Sequence, residues 1–159
     1  MCGVFGIFNN KDAAALTALG LHALQHRGQE ACGIITLNKK NFFVERRLGL
    51  VGDSFTKGKI LEKLDGDCAI GHNRYSTFGN NLIKNVQPFF ADLFTGGIGI
   101  AHNGNLCNAL NLRNELVKSG SIFQTTSDTE AIVQLIAKSK RQKILDKIID
   151  ALFKIQGGY

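Results

Sequence analysis

The sequence predicts an α+β fold in which antiparallel sheets pack against helices. Apolar segments of strand length are joined by short polar turns in the first two thirds of the chain, and three patterns of helical spacing follow one another in the last third. Elements grouped in this way favour an α+β fold over a strictly alternating parallel fold. The 159 residues are enough for one domain with a buried core.

The start of the chain predicts a strand and then a helix. Residues 2–8 form an apolar run that suits a strand buried on both faces. Asp12 is placed to cap the helix that follows, which should end near His26-Arg27-Gly28. The buried face of this helix is predicted from the spacing of Leu16, Leu19, Gly20, Ala23 and Leu24.

The middle of the chain predicts further strands. Residues 31–37 and 42–47 are strand-like on either side of a polar turn over 38–41. A short helix is predicted over 56–64, and another buried strand over 68–72.

A long polar loop is predicted over residues 75–87 and is closed by the sole proline, Pro88. Loops of this length in a compact domain are often lids over a binding site. Residues 89–94 and 97–102 then form a strand pair that ends at Asn103-Gly104.

Three helices complete the pattern. The first should stop at Gly120, and the second should begin at Ser127. Their apolar faces are, in order, Ala109, Leu112 and Leu116; Ala131, Ile132, Leu135 and Ile136; and Ile144, Leu145, Ile148, Ile149 and Leu152. Because Gly157-Gly158-Tyr159 suits a turn into a further strand, we expect the domain to be incomplete at its C-terminus.

Composition argues against several classes of protein. No apolar run reaches the roughly 20 residues of a membrane span, and no basic segment precedes the apolar start as in a secretory signal. We therefore expect a cytoplasmic protein that binds no membrane. The net charge of +6 is concentrated at a helix junction and predicts a solvated surface without the aromatic residues that stack on nucleic-acid bases. The residues of this basic stretch are Lys138, Lys140, Arg141, Lys143 and Lys147.

The cysteines and histidines show no spacing typical of a metal site. Cys2, Cys32, Cys68 and Cys107 form no C-x-x-C pair, and the four histidines form no H-x-x-x-H pair. We predict neither structural zinc nor a disulfide framework, and we expect no cofactor in this chain.

Cys2 is the first candidate catalytic residue. If Met1 is removed, Cys2 carries a thiol and a free α-amine, so one residue supplies both a nucleophile and a base that titrates near neutral pH. The alternative is that Cys2 is simply the first residue of a buried strand.

Two further segments each have a structural and a functional interpretation. Asn103-Gly104 is a turn signal after a strand, or a pair of donors to a developing oxyanion. Arg74, at the exit of a buried strand, suits either bidentate binding of a ligand carboxylate or a surface ion pair.

The same holds for two charged residues at helix ends. Ser127 and Glu130 match a capping box, which places Asp128 in the first helical turn, either to suit the helix dipole or to hold a substrate ammonium. Arg27, after the first helix, is an internal brace or a site residue.

Taken in order, five segments resemble the class II glutamine amidotransferases, which are N-terminal-nucleophile hydrolases with a four-layer αββα fold. The resemblance covers essentially the whole chain, residues 1–159, as one partial glutaminase domain. The five segments are Cys2-Gly3-Val4-Phe5-Gly6-Ile7, His26-Arg27-Gly28-Gln29-Glu30, Gly71-His72-Asn73-Arg74-Tyr75-Ser76-Thr77, Ala101-His102-Asn103-Gly104-Asn105-Leu106 and Thr126-Ser127-Asp128-Thr129-Glu130.

Within the class, the sequence is most similar to the branch that uses phosphoribosyl pyrophosphate. The segment Asn85-Val86-Gln87-Pro88-Phe89 fits that branch as well. Glucosamine-6-phosphate synthase, the alternative, would show R-W-A-T-H-G where this chain has Arg74-Tyr75-Ser76-Thr77. Asn73 stands where many members of the branch carry valine.

The resemblance implies how glutamine would be hydrolysed. Cys2 would attack the side-chain amide and form a γ-glutamyl thioester, while its own α-amine manages the proton. Asn103 and Gly104 would stabilise the tetrahedral oxyanion.

The resemblance also implies how glutamine would be held. Arg74 would bind the α-carboxylate and Asp128 the α-ammonium. The loop that includes Tyr75 and Thr77 would close over the substrate, and Arg27 would support the site around the nucleophile.

For the parent enzyme, the resemblance implies transfer of ammonia to phosphoribosyl pyrophosphate to give 5-phosphoribosylamine, the first committed step of purine synthesis. A phosphoribosyltransferase domain, expected to be absent from this chain, would hold Mg²⁺. Because Cys2 follows Met1 directly, we expect no propeptide, whereas the iron–sulfur cluster of some members stays an open question. The full-length enzyme is expected to be a homo-oligomer.

The alternatives to an enzyme are a catalytically silent fragment with the same fold and a basic nucleic-acid-binding domain, although no nucleic-acid motif supports the latter.

Overall fold

A four-stranded antiparallel sheet forms the first half of the fold. The computed structural model describes residues 1–55, 59–75 and 82–159. The strands of this sheet lie in the order β1-β4-β2-β3. Their bounds are β1 Gly3–Ile7, β2 Ala31–Asn38, β3 Asn41–Leu48 and β4 Cys68–Arg74.

Two helices, α1 (Ala13–Ala23) and α2 (Val51–Phe55), cover the outer face of this sheet. Leu21 of α1 and Phe55 of α2 are buried in one apolar core with Ile34 of β2. A Cβ on Gly71 of β4 would lie 2.7 Å from the Leu21 side chain, so the absent side chain lets α1 approach the sheet closely.

A second sheet covers the inner face of the first. Strands β5 (Phe89–Leu93) and β6 (Gly96–Ile100) form an antiparallel pair. The rings of Phe42 and Phe90 meet across the two sheets with centroids 5.1 Å apart.

Three helices cover the far side of the second sheet and complete the αββα order. They are α3 (Ala109–Lys118), α4 (Thr129–Lys138) and α5 (Ile144–Leu152). Their core packs against Ile98 and Ile100 of β6. Two short strands, β7 (Asn105–Leu106) and β8 (Gly157–Gly158), pair antiparallel beside these helices. The predicted fold class, with antiparallel sheets between layers of helices, is confirmed.

Strand β1 is less buried than its apolar sequence predicted. It lies at the edge of the sheet and pairs with β4, and Val4 is exposed. The prediction of a strand buried on both faces was therefore wrong, although the strand itself is confirmed.

Helix α1 buries a different face from the one predicted. Leu21 is fully buried, whereas Leu19 is 65% exposed. The buried positions are the small residues Ala13, Ala14, Thr17 and Ala18 together with Leu21, because small side chains allow close packing on the sheet. Asp12 occupies the N-cap position, but its side chain accepts no capping hydrogen bond.

Three other local predictions were wrong. Of the short helix expected over 56–64, residues 56–58 lie outside the described residues, and the described remainder contains a 3-10 turn over Leu61–Lys63; an α-helix, α2, lies before this range. The capping box is not formed, because the Glu130 carboxylate accepts from the backbone N–H groups of Gln124 and Thr125. Helix α4 accordingly begins at Thr129 rather than at Ser127.

Helix α5 also differs from its pattern. Leu145 is 64% exposed, whereas Lys147 and Ala151 are buried. The Lys147 ammonium donates to the carbonyl oxygen of Ser139, so this member of the basic stretch does not lie on a solvated face. Lys140, Arg141 and Lys143 are exposed, as predicted. No helix in the described ranges is long and apolar enough to cross a membrane.

We expect acid to weaken the fold through His72. Gly71 and Asn73 face α1, so the intervening His72 faces the second sheet, where it is fully buried. Burial and, next, the charge of Arg74 lower the pKa of His72 from 6.5 to about 4. Between these values the unfolded chain binds a proton that the folded chain does not bind, so stability falls as the pH falls through this window.

The expected loss from this residue is about 2 kcal/mol in the free energy of unfolding between pH 7 and pH 5. Urea titrations at the two pH values measure it. His72→Asn should remove this part of the pH dependence, whereas the exposed His22→Asn should keep it. An unchanged pH dependence in His72→Asn would contradict the assignment.

Candidate active site

A cleft of about 260 Å³ opens at one end of the two sheets, beside the N-terminus of α4. Five of the predicted site residues lie along it although they come from separate parts of the chain. These are Cys2, Arg74, Tyr75, Gly104 and Asp128.

Cys2 is held where the chain enters β1. The Arg27 Nε donates to the backbone oxygen of Cys2 over 2.9 Å. The Cys2 Sγ lies 3.6 Å from the backbone oxygen of Tyr75. A Cβ on Gly28 would lie 2.7 Å from the Arg74 backbone, so this glycine lets the turn that carries Arg27 approach β4. Arg27 therefore braces the backbone of the candidate nucleophile.

Arg74 ends β4 and is almost fully buried. Its Nη1 donates to the backbone oxygen of Asn85 over 2.8 Å. Its Nε has no hydrogen-bond partner within the described part of the chain. The Asn85 Oδ1 in turn accepts from the Thr126 N–H over 3.1 Å, which ties this side of the cleft to the segment before α4.

Asp128 caps helix α4 and also faces the cleft. Its Oδ1 accepts from the Thr129 N–H over 2.9 Å, and its Oδ2 accepts from the Leu106 N–H over 3.0 Å. These two bonds fix the carboxylate at the end of β7. The Oδ1 also lies 3.5 Å from the Thr129 hydroxyl, whereas the Oδ2 keeps a further lone pair that can accept a hydrogen bond from a ligand cation.

Asn103 and Gly104 lie between β6 and β7. Asn103 is exposed, and Gly104 lines the cleft. A Cβ on Gly104 would lie 1.9 Å from the backbone oxygen of Gly158 in β8. The backbone at this position can therefore approach β8 only because the residue is glycine.

Tyr75 is half exposed at the cleft, and Thr77 lies outside the described residues. The sequence did not single out three other residues that line the cleft: Gln87, His102 and Arg113. Gln87 and His102 occur within segments that carried the family resemblance, which was the available signal. Arg113, stacked 4.1 Å from the Phe123 ring centroid, had no such signal.

The cleft is thus lined by an arginine, a carboxylate and a thiol. Such an arrangement suits a ligand with a carboxylate and an ammonium, because a guanidinium pairs with the former and Asp128 with the latter. In the described ranges, no cluster of three or more His, Cys, Asp or Glu side chains could hold a metal ion.

Comparison with known proteins agrees with this arrangement. The glutamine amidotransferase domain family matches residues 72–156, which is more than half of the chain. The chain belongs to this family.

Curated relatives define the similarity more closely. Over 99% of its length, the chain is 56% identical to the amidophosphoribosyltransferase of Rhizobium etli and 51% identical to the chloroplastic amidophosphoribosyltransferase 2 of Arabidopsis thaliana. It spans 32% and 28% of these two relatives.

Solved structures share the fold. The glutamine phosphoribosylpyrophosphate amidotransferase of B. subtilis, complexed with ADP and GMP, matches with a TM-score of 0.90 at 40% identity. A structure described as the allosteric regulatory enzyme of purine biosynthesis matches with a TM-score of 0.92 at the same identity. Each comparison covers 99% of this chain and about a third of the solved chain, 33% and 34% respectively. The N-terminal-nucleophile fold predicted from the resemblance is confirmed.

Proposed function

We propose that this chain hydrolyses glutamine to glutamate and ammonia with Cys2 as the nucleophile. The supporting observation is the meeting of Cys2, Arg74, Gly104 and Asp128 in one cleft, in a chain that belongs to the glutamine amidotransferase domain family.

The nucleophile would become active once Met1 is removed. Met1 is 76% exposed, so it is accessible to an aminopeptidase. Its removal leaves an α-amine on the residue that carries the thiol, and this amine accepts the thiol proton as sulfur attacks. Arg27 would keep the Cys2 backbone in place while the amine and the thiol exchange protons.

The reaction proceeds in two halves. The Cys2 sulfur bonds to the side-chain amide carbon of glutamine, and the resulting oxyanion accepts hydrogen bonds from the Asn103 side chain and the Gly104 N–H. The carbon–nitrogen bond then breaks, and the nitrogen takes a proton from the α-ammonium of Cys2. Ammonia departs, and a γ-glutamyl thioester remains on Cys2. Water adds to the thioester with the α-amine as base, and the carbon–sulfur bond breaks to release glutamate and the thiol.

The two charged ends of glutamine would fix its orientation. The Arg74 guanidinium would bind the α-carboxylate, and the Asp128 carboxylate would bind the α-ammonium. Tyr75, which lines the cleft, would contact the bound substrate.

In the whole protein, ammonia would convert phosphoribosyl pyrophosphate to 5-phosphoribosylamine, the first committed step of purine synthesis. The support is the similarity to amidophosphoribosyltransferases, of which this chain spans about a third. Phosphoribosyl pyrophosphate and Mg²⁺ would bind in a phosphoribosyltransferase domain outside these 159 residues. We propose that the whole enzyme is a cytoplasmic homo-oligomer.

Glutamate release measured together with intact mass tests the proposal. We expect active protein to begin at Cys2, and protein that retains Met1 to release no glutamate above background. Glutaramate, which is glutamine without its α-amino group, should be hydrolysed more slowly because it lacks the partner of Asp128. Full activity in protein that still begins with Met1 would overturn the proposal.

A further inference from the structure

We infer that Gln87 is a positioning residue that fixes the distance between the oxyanion donors and the ammonium-binding carboxylate. This inference rests on the proposed function of the cleft. The Gln87 side chain is almost fully buried, at 5% exposure, and it bonds to two segments that lie far apart in the sequence.

Each end of the Gln87 amide holds one of these segments. Its Oε1 accepts from the His102 backbone N–H over 2.7 Å, and its Nε2 donates to the Thr129 Oγ1 over 3.0 Å. His102 directly precedes Asn103 and Gly104, whereas Thr129 directly follows Asp128. A single planar amide therefore spans the two ends of the proposed glutamine site.

The hydrogen bonds allow one orientation of this amide. A backbone N–H can only donate, so Oε1 must face His102 and Nε2 must face Thr129. The Thr129 hydroxyl oxygen accepts from Gln87 and lies 3.1 Å from the His102 Nδ1 and 3.5 Å from the Asp128 Oδ1. The His102 Nε2 lies 3.4 Å from the backbone oxygen of Gly158. Gln87, His102 and Thr129 therefore form a closed ring of polar contacts.

The ring is also fixed to the first sheet. A Cβ on Gly33 of β2 would lie 2.3 Å from the backbone oxygen of Gln87. The Gln87 backbone therefore packs directly against β2. Because the backbone is fixed there, the side chain holds its two hydrogen-bond partners at a fixed place in the cleft. A shift of about 1 Å at a reacting centre can cost about 100-fold in rate.

Gln87→Leu removes both hydrogen bonds at nearly unchanged volume. We expect kcat/KM for glutamine to fall about 10- to 100-fold, since a buried N–H and a hydroxyl lose their partner. Glutaramate makes no bond to Asp128, so the distance between the oxyanion donors and Asp128 should not affect its hydrolysis. The loss of kcat/KM for glutaramate should therefore be about threefold or less.

Thr129→Val tests the same connection at Thr129, the residue to which the Gln87 amide donates. Because both substitutions break the same connection, the double variant should be no slower than the slower single variant. Gln134→Leu is the matched control, because the Gln134 amide donates to the backbone oxygen of Ile122 and Gln134 is not among the residues that line the cleft. It should keep the kcat/KM of the unaltered protein.

The outcomes separate the two proposals. If the unaltered protein releases no glutamate, the proposed function is wrong. The positioning role is wrong if the unaltered protein is active and Gln87→Leu has the same kcat/KM for glutamine. It is also wrong if Gln87→Leu lowers kcat/KM equally for glutamine and for glutaramate, after each value is corrected for the fraction of Cys2 that can be labelled.

Discussion

Cys2→Ala is expected to abolish glutamine hydrolysis, lowering kcat about 10⁴-fold or more. Removal of a nucleophile ends covalent catalysis, and the remaining rate comes from binding and oxyanion stabilisation alone. The side chain is small and lies at the start of β1, so the substitution should leave the fold intact. Coupled detection of glutamate, with circular dichroism as the check on folding, measures the effect.

The other cysteines provide the controls. Cys107→Ala changes an exposed cysteine and should leave kcat unaltered. A diazoketone analogue of glutamine should label Cys2 and spare Cys32, Cys68 and Cys107. Cys32 in particular is buried, and burial raises its pKa to about 11, so it is a protonated thiol at neutral pH. Labelling at another cysteine, with Cys2 unmodified, would argue against the site.

Gly104→Ala is expected to lower kcat about 100-fold or more, with a smaller change in KM. The new Cβ would lie 1.9 Å from the Gly158 oxygen and 2.8 Å from the His102 Nε2, so the backbone at 104 must move. That movement displaces the Gly104 N–H from the oxyanion, and loss of one oxyanion donor typically costs about 10²–10³ in rate. Steady-state kinetics with glutamine separate kcat from KM.

A glycine in another layer controls for the substitution itself. A Cβ on Gly52 in α2 would have its nearest neighbour, the His22 ring, at 3.7 Å, an ordinary contact. Gly52→Ala should therefore keep full activity, and alanine is also the better helix former. Unchanged kcat in Gly104→Ala, with Cys2 still fully labelled, would show that the Gly104 N–H does not serve the oxyanion.

The sequence was informative where structure depends on short-range pattern. Strands β2 and β3 and the turn between them follow from two apolar runs separated by polar residues. Gly120 ends α3 with a φ of +86°, a conformation in which glycine is not strained. The order of motifs also predicted the family, because each motif combines residue types that this chemistry requires.

The sequence failed where burial depends on distant segments. The spacing of apolar residues predicts a helix, but it does not determine which face of that helix a sheet or another helix will cover. In α1 the sheet packs on alanines and Leu21, leaving Leu19 in solvent, and in α5 a lysine is buried while Leu145 is exposed. Glu130 looked like half of a capping box, yet it binds the segment that folds back before the helix.

The sequence by itself therefore determined the fold class, most of the strands and helices, the family, and the residue types that could attack and bind glutamine. Only the tertiary structure decided that Cys2, Arg74 and Asp128 line one cleft, and that Gln87 joins His102 to Thr129. The physical reason is the distance along the chain between the interacting residues. Helix and strand formation depends on neighbours within a few residues, whereas the Gln87 side chain bonds to residues 15 and 42 positions away. Such partners become neighbours only when β5 pairs with β6 and α4 packs against that sheet.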